Sequence, residues 1–404
     1  MGNRQIYEES LIMFQYIEKY GSLSFAEKPF NEIDSLIFSQ LIYNDFKGII
    51  GNRDMLTLAE LAERFYAVNT DEEIDGLLGV AQRAARLLTV CSNSKRYSDA
   101  LVSDYIDNVN DSIDKQIAAA NFLLSDDTLL VAFRGTDATV AGFKESAMLA
   151  YMFPIPAQIE ALHYFQESAM THDGRVMLCG HSKGGNLAIY ASVNCANSLQ
   201  RQIEGVYAFD SPGFPEWFFE RYDYLQMENR IFPINPQGSI IGRALKMKKP
   251  AEIVVSTAKQ GKQHNVYTWV ISDDCFEIAE SYSAESDKLS AYLNELVEYI
   301  GDKDLDVFYD ALEQTANELG VSDFYDLKKV DVSLLTIFID SIQTLNPQQK
   351  ERFMALARKV MTDFAKGYVS DKTHKAMGYV KNITSKIPYG KKRSEAENET
   401  AEEN

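Results

Sequence analysis

Cysteine is scarce in this sequence, and its four cysteines lack the spacing that metal sites and disulfide frameworks require. They are Cys91, Cys179, Cys195 and Cys275. Zinc sites place cysteines within a few residues of one another, and small disulfide-stabilised domains carry them densely. We therefore expect a protein of a reducing compartment that holds no metal and is stabilised by a buried apolar core.

Basic residues are also in deficit, with 40 Lys and Arg against 59 Asp and Glu and a net charge of -19. A nucleic-acid partner needs a basic face to neutralise its phosphates, so the composition argues against such a partner. Neither a P-loop nor a dinucleotide-binding fingerprint occurs, and we expect no cofactor.

Long apolar runs are missing as well. A membrane-spanning helix needs about 20 consecutive apolar residues, and no run approaches that length. The N-terminal residues are charged throughout, without an uninterrupted apolar core or a cleavage-site pattern, so we expect no secretory signal. These absences predict a cytoplasmic protein.

One segment is compatible with peripheral binding to a membrane. Residues 372–393 carry seven Lys or Arg and no Asp or Glu, interleaved with apolar side chains, and the sequence after them turns acidic. A basic amphipathic stretch can bind an anionic membrane surface. A solvated helix that continues into a disordered tail explains the same pattern.

The 404 residues, 46% of them hydrophobic, suffice for a large α/β domain with an appendage. Residues 30–90 show helical periodicity, and so do residues 284–382. Between them, short β-like runs alternate with helical ones, which predicts a mainly parallel sheet. These runs are residues 116–124, 129–134, 176–179, 205–209, 230–234, 252–256 and 266–271. We predict a hydrolase-like domain over residues 1–275, a helical region over 276–385 and a disordered charged tail over 386–404.

The pentapeptide Gly180-His181-Ser182-Lys183-Gly184 follows an apolar run and precedes a stretch of small residues. It matches the GxSxG nucleophile elbow, in which a serine sits on a sharp strand-to-helix turn and glycines remove colliding side chains. Ser182 is the candidate nucleophile. A glycine-rich turn with an idle serine is the alternative interpretation.

A serine nucleophile needs a base, and His264 has the best position among five histidines. It lies in a glycine-containing loop between two β-like runs. The other histidines lie before the elbow, inside it or in the basic segment: His163, His172, His181 and His374. An exposed loop histidine without a function remains the alternative for His264.

Asp210 is the candidate acid that orients the base. It ends the β-like run after the elbow helix, so its carboxylate is expected at the carboxyl edge of the sheet, where catalytic groups collect. The resulting order Ser182, Asp210, His264 is that of the α/β hydrolases. A cap of its own turn is the other interpretation of Asp210.

The oxyanion of acyl transfer needs preorganised N–H donors, one of them the amide after the nucleophile, here Lys183. The second is expected from the loop Arg134-Gly135-Thr136 after an earlier strand, where glycine permits a close approach. Thr136 is the candidate donor, and Arg134 is predicted to anchor the loop.

The segments VAFRGTD, GHSKGGNLAIYA, FDSPGF, PQGSIIG and QHNVYTW occur in that order. Together they resemble the Mbeg1-like family of bacterial α/β hydrolases, relatives of the class 3, fungal-type lipases, over about residues 30–300. The resemblance implies an α/β-hydrolase fold and lipase or esterase chemistry with Ser182, His264 and Thr136 in the roles above.

Two departures stand out. Class 3 lipases carry their acid where residues 235–239 lie here, and that stretch holds no Asp or Glu. Lys183 occupies a position that is often apolar in lipases. Asp210 instead resembles the acid of pancreatic-type lipases.

We predict a serine hydrolase with an α/β-hydrolase fold, an N-terminal helical segment and a C-terminal helical appendage. Its expected substrate is an acyl ester or lipid, cleaved through Ser182, His264 and Asp210 with the amides of Thr136 and Lys183 as oxyanion donors. Two other hypotheses stay open, namely a hydrolase of thioesters or peptides and a non-catalytic scaffold that binds a partner or membrane.

Overall fold

The computed structural model describes residues 12–51, 54–77, 79–113, 115–136, 145–146, 148–149, 151–300, 346–348 and 351. The chain divides into two units, Met1–Lys350 and Glu351–Asn404, and the described part of the second is residue 351 alone. The architecture below is therefore that of the first unit.

Eight strands form one sheet in which spatial order follows chain order, from β1 to β8. The pairs from β1 to β4 are antiparallel, and those from β4 to β8 are parallel. The strands are β1 Met55–Thr57, β2 Leu101–Asn110, β3 Lys115–Leu123, β4 Leu129–Phe133, β5 Val176–His181, β6 Ile203–Phe209, β7 Ile231–Pro236 and β8 Glu252–Val254. The predicted α/β fold with a parallel central sheet is confirmed.

Helices lie before, between and after the strands. They are α1 over residues 12–20, α2 Glu32–Leu41, α3 Leu58–Val68, α4 Asp71–Gly76, α5 Gly79–Ser92, α6 Lys95–Ser98, α7 Pro156–Met170, α8 Lys183–Asn194, α9 Asn197–Gln200, α10 Tyr222–Met227 and α11 Ala284–Ile300. Short 3₁₀ helices span Asp111–Ile113, Glu216–Glu220, Glu228–Arg230, Ile241–Arg243, Gln260–His264 and Val266–Thr268. The helical N-terminal segment thus has the predicted character.

The strand order explains why that N-terminal segment is needed. Successive right-handed crossovers between neighbouring parallel strands place their helices on one face of the sheet. Helices α7 and α8 pack there in one apolar cluster, together with Leu178. The next residue of the same strand, Cys179, belongs to a second cluster with α2, α3 and α5 on the opposite face. The N-terminal helices therefore cover the face that the crossovers leave bare.

Local sequence signals set the starts of three of these helices. Asn31, Thr57 and Thr70 each cap a helix with a side-chain oxygen, and the acidic residue three positions later bonds back to the cap amide. Such reciprocal capping satisfies amides that the first helical turn leaves without partners.

The strand predicted over residues 266–271 is wrong in its first half. Val266–Thr268 is a 3₁₀ helix, whereas Trp269 is extended and forms an isolated β-bridge with Ser256. Ile271–Ser272 then pairs with Cys275–Phe276 as the two-stranded hairpin β9–β10. The apolar side chains of the 3₁₀ helix are buried all the same. A short apolar run records burial, and it does not distinguish a strand from a packed turn.

Strand β2 escaped prediction because its sequence LVSDYIDNVN is polar and irregular. Its pairing with β3 shifts register between Ser103 and Ile106, and Asp104 has a φ of 52°. Such a bulge interrupts the alternation of apolar and polar residues that identifies strands in a sequence.

The predicted helical region over 276–385 is described over residues 276–300, where Phe276 ends β10 and α11 begins at Ala284, and in a few residues near 350. Its remainder and the predicted tail over 386–404 lie outside the described residues, so these boundaries stay predictions. Within the part of the chain that the structure describes, no helix has both the length and the apolar character needed to cross a membrane.

Candidate active site

Ser182 lies between β5 and α8 in a backbone conformation that an L-residue rarely adopts, with φ 57° and ψ -131°. The flanking glycines make this turn possible. A Cβ on Gly180 would lie 2.2 Å from the carbonyl carbon of Gly184, and one on Gly184 would lie 2.2 Å from the carbonyl oxygen of Phe133. The Ser182 side chain does not cap α8. A strained serine whose hydroxyl is not used in capping is the geometry of a nucleophile elbow.

His264 and Asp210 are in direct contact, with Nδ1 of the imidazole 2.7 Å from Oδ2 of the carboxylate. The Asp210 side chain is 1% exposed, and that of His264 is 34% exposed. The other carboxylate oxygen accepts the hydroxyl of Ser239 and, at 3.0 Å, the amide of Gly242. These bonds go to distant residues, which disfavours the alternative of a cap within its own turn. Because Nδ1–H donates to Asp210, Nε2 is left to accept a proton.

The stretch in which class 3 lipases carry their acid has a supporting role here. Ser239 donates to Asp210, and the side-chain amide of Asn235 donates at 3.0 Å to both the Gly242 carbonyl and the Tyr282 hydroxyl. The segment that lacks a carboxylate thus holds the carboxylate of the preceding strand. Ser239 was not among the predicted site residues, although the missing acid of residues 235–239 was a signal to examine them.

His181 faces away from the role of base. Its Nε2–H donates to the His264 carbonyl at 3.0 Å, and its Nδ1 lies 3.2 Å from the Tyr43 hydroxyl, which donates to it. The His181 and His264 ring centroids are 4.5 Å apart. Burial, together with the neighbouring imidazole, lowers the pKa of His181 well below its ordinary value. His181 therefore remains neutral and braces the loop that carries His264.

The loop after β4 reaches the nucleophile as predicted. A Cβ on Gly135 would lie 2.4 Å from the Tyr43 hydroxyl oxygen and 3.2 Å from the Ser182 Cβ, so only glycine fits. Arg134 pairs with both carboxylate oxygens of Asp107 at 3.0 Å. A bidentate pair of this kind fixes the start of the loop, in line with the predicted anchor role.

Lys183 and Thr136 have quite different side-chain environments. Lys183 is the first residue of α8, so its amide has no acceptor within the helix and lies at the positive end of the helix dipole. Its Nζ is buried, 2.5 Å from the Glu145 carboxylate and 2.8 Å from the Gln116 carbonyl. The Thr136 hydroxyl is hydrogen-bonded to that of Ser146.

The Lys183–Glu145 ion pair is the largest feature that sequence reasoning missed. Both side chains are 1% exposed or less. Burial raises the pKa of Glu145, and the ammonium of Lys183 acts in the opposite direction. Lysine at this elbow position was the visible signal, because a cation buried at a helix N-terminus needs an anionic partner.

Two predictions, a membrane contact through residues 372–393 and the absence of a bound metal, are not decided by this geometry. Residues 372–393, the predicted membrane-contact segment, lie outside the described residues. Within the described ranges, no group of three or more His, Cys, Asp or Glu side chains could hold a metal ion.

Comparison with known proteins places the chain. No curated protein matches it. Among solved structures, a chain titled "Crystal structure of M37 lipase" is 14% identical, with a TM-score of 0.34 over 53% of this chain and 70% of that chain. The profile of the Mbeg1-like family matches residues 91–314, which is more than half of the sequence. The resemblance carried by the FRGT and GHSKGG segments is thereby confirmed, and the chain belongs to the Mbeg1-like family.

Proposed function

We propose that this protein is a serine hydrolase that cleaves acyl esters through Ser182, His264 and Asp210. The observation that carries the proposal is the 2.7 Å contact between His264 and a buried Asp210, at the sheet edge where β5 delivers a strained Ser182. Buried carboxylates are costly, and this one, which directly follows Phe209, holds a part-exposed imidazole. The Phe209 carbonyl accepts the Ser182 amide at 2.8 Å, which supports a catalytic triad.

In the proposed reaction, Oγ of Ser182 bonds to the ester carbonyl carbon while its proton passes to Nε2 of His264. The tetrahedral intermediate then loses the alcohol, which takes the proton from His264 and leaves an acyl-enzyme. Water attacks the acyl carbon, gives a proton to His264, and the serine is regenerated with release of the acid.

The oxyanion of both tetrahedral intermediates is assigned to the amides of Lys183 and Thr136. Each donor of this kind is worth about 3 kcal/mol of barrier. The fixed turn at Ser182 and the close approach of Gly135 support this assignment, since the backbone at Gly135 passes so near Ser182 that even a Cβ would lie 3.2 Å from the Ser182 Cβ.

An ester substrate is favoured by the resemblance to class 3 lipases. The test is hydrolysis of p-nitrophenyl esters of increasing acyl length, with Ser182→Ala as the control. We expect turnover by the full-length protein and none above background by the variant. A thioester and a peptide anilide are measured in parallel. If only one of these were cleaved, the substrate class would be reassigned to it. Inactivity on all three classes would favour the non-catalytic scaffold.

A peripheral membrane partner is a separate proposal that rests on residues 372–393. Their basic, interleaved composition is expected to give salt-sensitive binding to vesicles that contain anionic lipid. Deletion of residues 372–404 should abolish that binding and leave ester hydrolysis intact. Equal binding by the shortened chain would exclude the segment as the contact.

A further inference from the structure

The two proposed oxyanion donors come from separate parts of the chain. Thr136 follows β4, and Lys183 follows β5. Oxyanion donors act only when both point at the site where charge develops, which requires their separation to be held to a fraction of an ångström. Some contact between the two segments therefore has to set their spacing.

Glu145 makes the contact on the Lys183 side. Its Oε2 lies 2.5 Å from Nζ of Lys183 and accepts the amide of Gln116 at 3.0 Å, while Oε1 accepts the amide of Ala157 at 3.2 Å. Lys183 also donates to the Gln116 carbonyl at 2.8 Å. One carboxylate thus joins the first residue of α8 to the start of β3 and the start of α7.

Ser146, the next residue, makes the contact on the Thr136 side through a hydrogen bond between the two hydroxyls. The dipeptide Glu145-Ser146 consequently contacts both oxyanion residues through their side chains and leaves their amides free of these bonds. A single short segment links the two halves of the proposed site.

Stability alone does not require this arrangement. A buried ion pair contributes little net stability compared with apolar side chains of similar volume, because two charges must be desolvated. A lysine at the first position of a helix also opposes the helix dipole. The fixed geometry of a charge-assisted hydrogen bond is what an apolar pair would not supply.

We propose that Glu145 and Ser146 are positioning residues that set the separation of the Lys183 and Thr136 amides. The inference rests on the proposed serine-hydrolase function and adds a residue pair to it. Removing a donor outright costs about 10²- to 10³-fold in kcat, so displacing one is expected to cost about tenfold.

The test measures three variants against the wild type. Two are the single substitutions Glu145→Gln and Ser146→Ala. The third is a neutral double variant that combines Lys183→Met and Glu145→Gln. The double variant leaves no unpaired charge, and the glutamine oxygen can still accept one of the two backbone amides that Glu145 binds. Each is expected to lower kcat about tenfold with KM little changed, because the interaction is made in the transition state. Ser146→Thr should restore the rate that Ser146→Ala loses.

A trifluoromethyl ketone supplies a readout that a purely structural role would not move. It forms a tetrahedral adduct with an activated serine, and the adduct oxygen bears the negative charge that the donors bind. Its inhibition constant should rise by the same factor as kcat falls. Ser192→Ala, which removes a buried hydroxyl that bonds only within α8, is the matched control and should change neither.

The outcomes separate the two claims. Loss of kcat and of ketone affinity together, at unchanged KM, supports the inference. An active wild type whose variants keep kcat and ketone affinity while their melting temperature falls would overturn it and leave the hydrolase intact. A wild type without any activity would overturn the proposed function and the inference with it.

Discussion

Two buried carboxylates, Asp34 and Asp210, are each held by several donors, yet their partners differ in one respect. Asp34 in α2 accepts Nε and Nη2 of Arg96 at 2.7 and 2.6 Å and the Tyr97 hydroxyl at 2.7 Å. Its ion pair with Arg96 is fully buried, at 0% exposure for both side chains. Asp210 is as deeply buried, but its partner His264 is 34% exposed.

The difference separates a network enclosed by protein from one that reaches a part-exposed imidazole, and we propose that only the second takes part in catalysis. The other guanidinium N–H groups of Arg96 donate to carbonyls of the loop before α2, among them that of Lys28 at 2.9 Å. The Asp34 carboxylate and its Arg96 partner are therefore bonded to protein groups and enclosed by them. The Asp210 network instead ends in the part-exposed imidazole of His264. Changes in the first should alter stability, and changes in the second should alter rate.

The largest expected effect is that of Asp210→Asn. The amide cannot hold the imidazole in the required tautomer, so kcat for ester hydrolysis should fall by about 10⁴, as in the best-studied triad. The melting temperature should change little by comparison. A rate close to that of wild type would move the acid role to another residue.

Arg96→Met should have the opposite signature. It leaves the Asp34 carboxylate buried without its cation, which typically costs about 3–5 kcal/mol of unfolding free energy. Urea denaturation followed by circular dichroism measures the loss. The kcat of the folded protein should remain within about twofold of wild type, since the two networks share no partner. A large fall in kcat at full folding would break the comparison.

Deleting one hydroxyl donor from each network compares the Asp210 and Asp34 networks at matched positions. Ser239→Ala removes one donor from Asp210, and Tyr97→Phe removes one from Asp34. A hydrogen bond to a charged group is worth about 1.5–3 kcal/mol, or roughly tenfold or more. We expect Ser239→Ala to lose kcat by about that factor and Tyr97→Phe to lose stability alone. If both variants lost only stability, the Asp210 network would be structural as well.

The smallest effect is a pH dependence due to His181, whose pKa is lowered by burial and by the nearby His264. Below the ordinary value of 6.5, the unfolded chain binds a proton at this position that the native protein does not. Stability is therefore present above pH 6.5 and is lost as the pH falls below it, by up to about 1.4 kcal/mol per pH unit.

Urea midpoints of the wild type and His181→Gln at pH 7.5 and 5.5 would measure this dependence. The variant should lose less stability between the two values, because glutamine does not titrate. Equal losses in both proteins would show that His181 carries no share of the dependence.

The contact between Asp210 and His264 agrees with the order predicted from the sequence, although the sequence also allows Asp210 to cap its own turn. Parallel strands deliver their carboxyl ends to one edge, so a carboxylate ending one β-like run and a histidine in a later loop could be paired from order alone. The glycine pattern placed Ser182 equally well, because the turn excludes side chains at fixed positions.

Lys183 signalled an anionic partner, but Glu145 could not be identified as that partner, because 38 residues separate the two and nothing local specifies the contact. Tyr267 illustrates a second limit. It is buried in the segment predicted as a strand, but it lies in the 3₁₀ helix Val266–Thr268. Hydrophobic pattern reports burial, while the backbone path is set by tertiary packing.

The most direct measurement is the site at which a fluorophosphonate attaches. After incubation of the full-length protein with the probe, peptide mass spectrometry should find one adduct on Ser182, and Ser182→Ala should carry none. Asp210→Asn should react much more slowly at the same position, because the serine is then poorly activated. A wild-type protein that stays unmodified, or an adduct that persists in Ser182→Ala, would contradict the assignment of Ser182 as nucleophile.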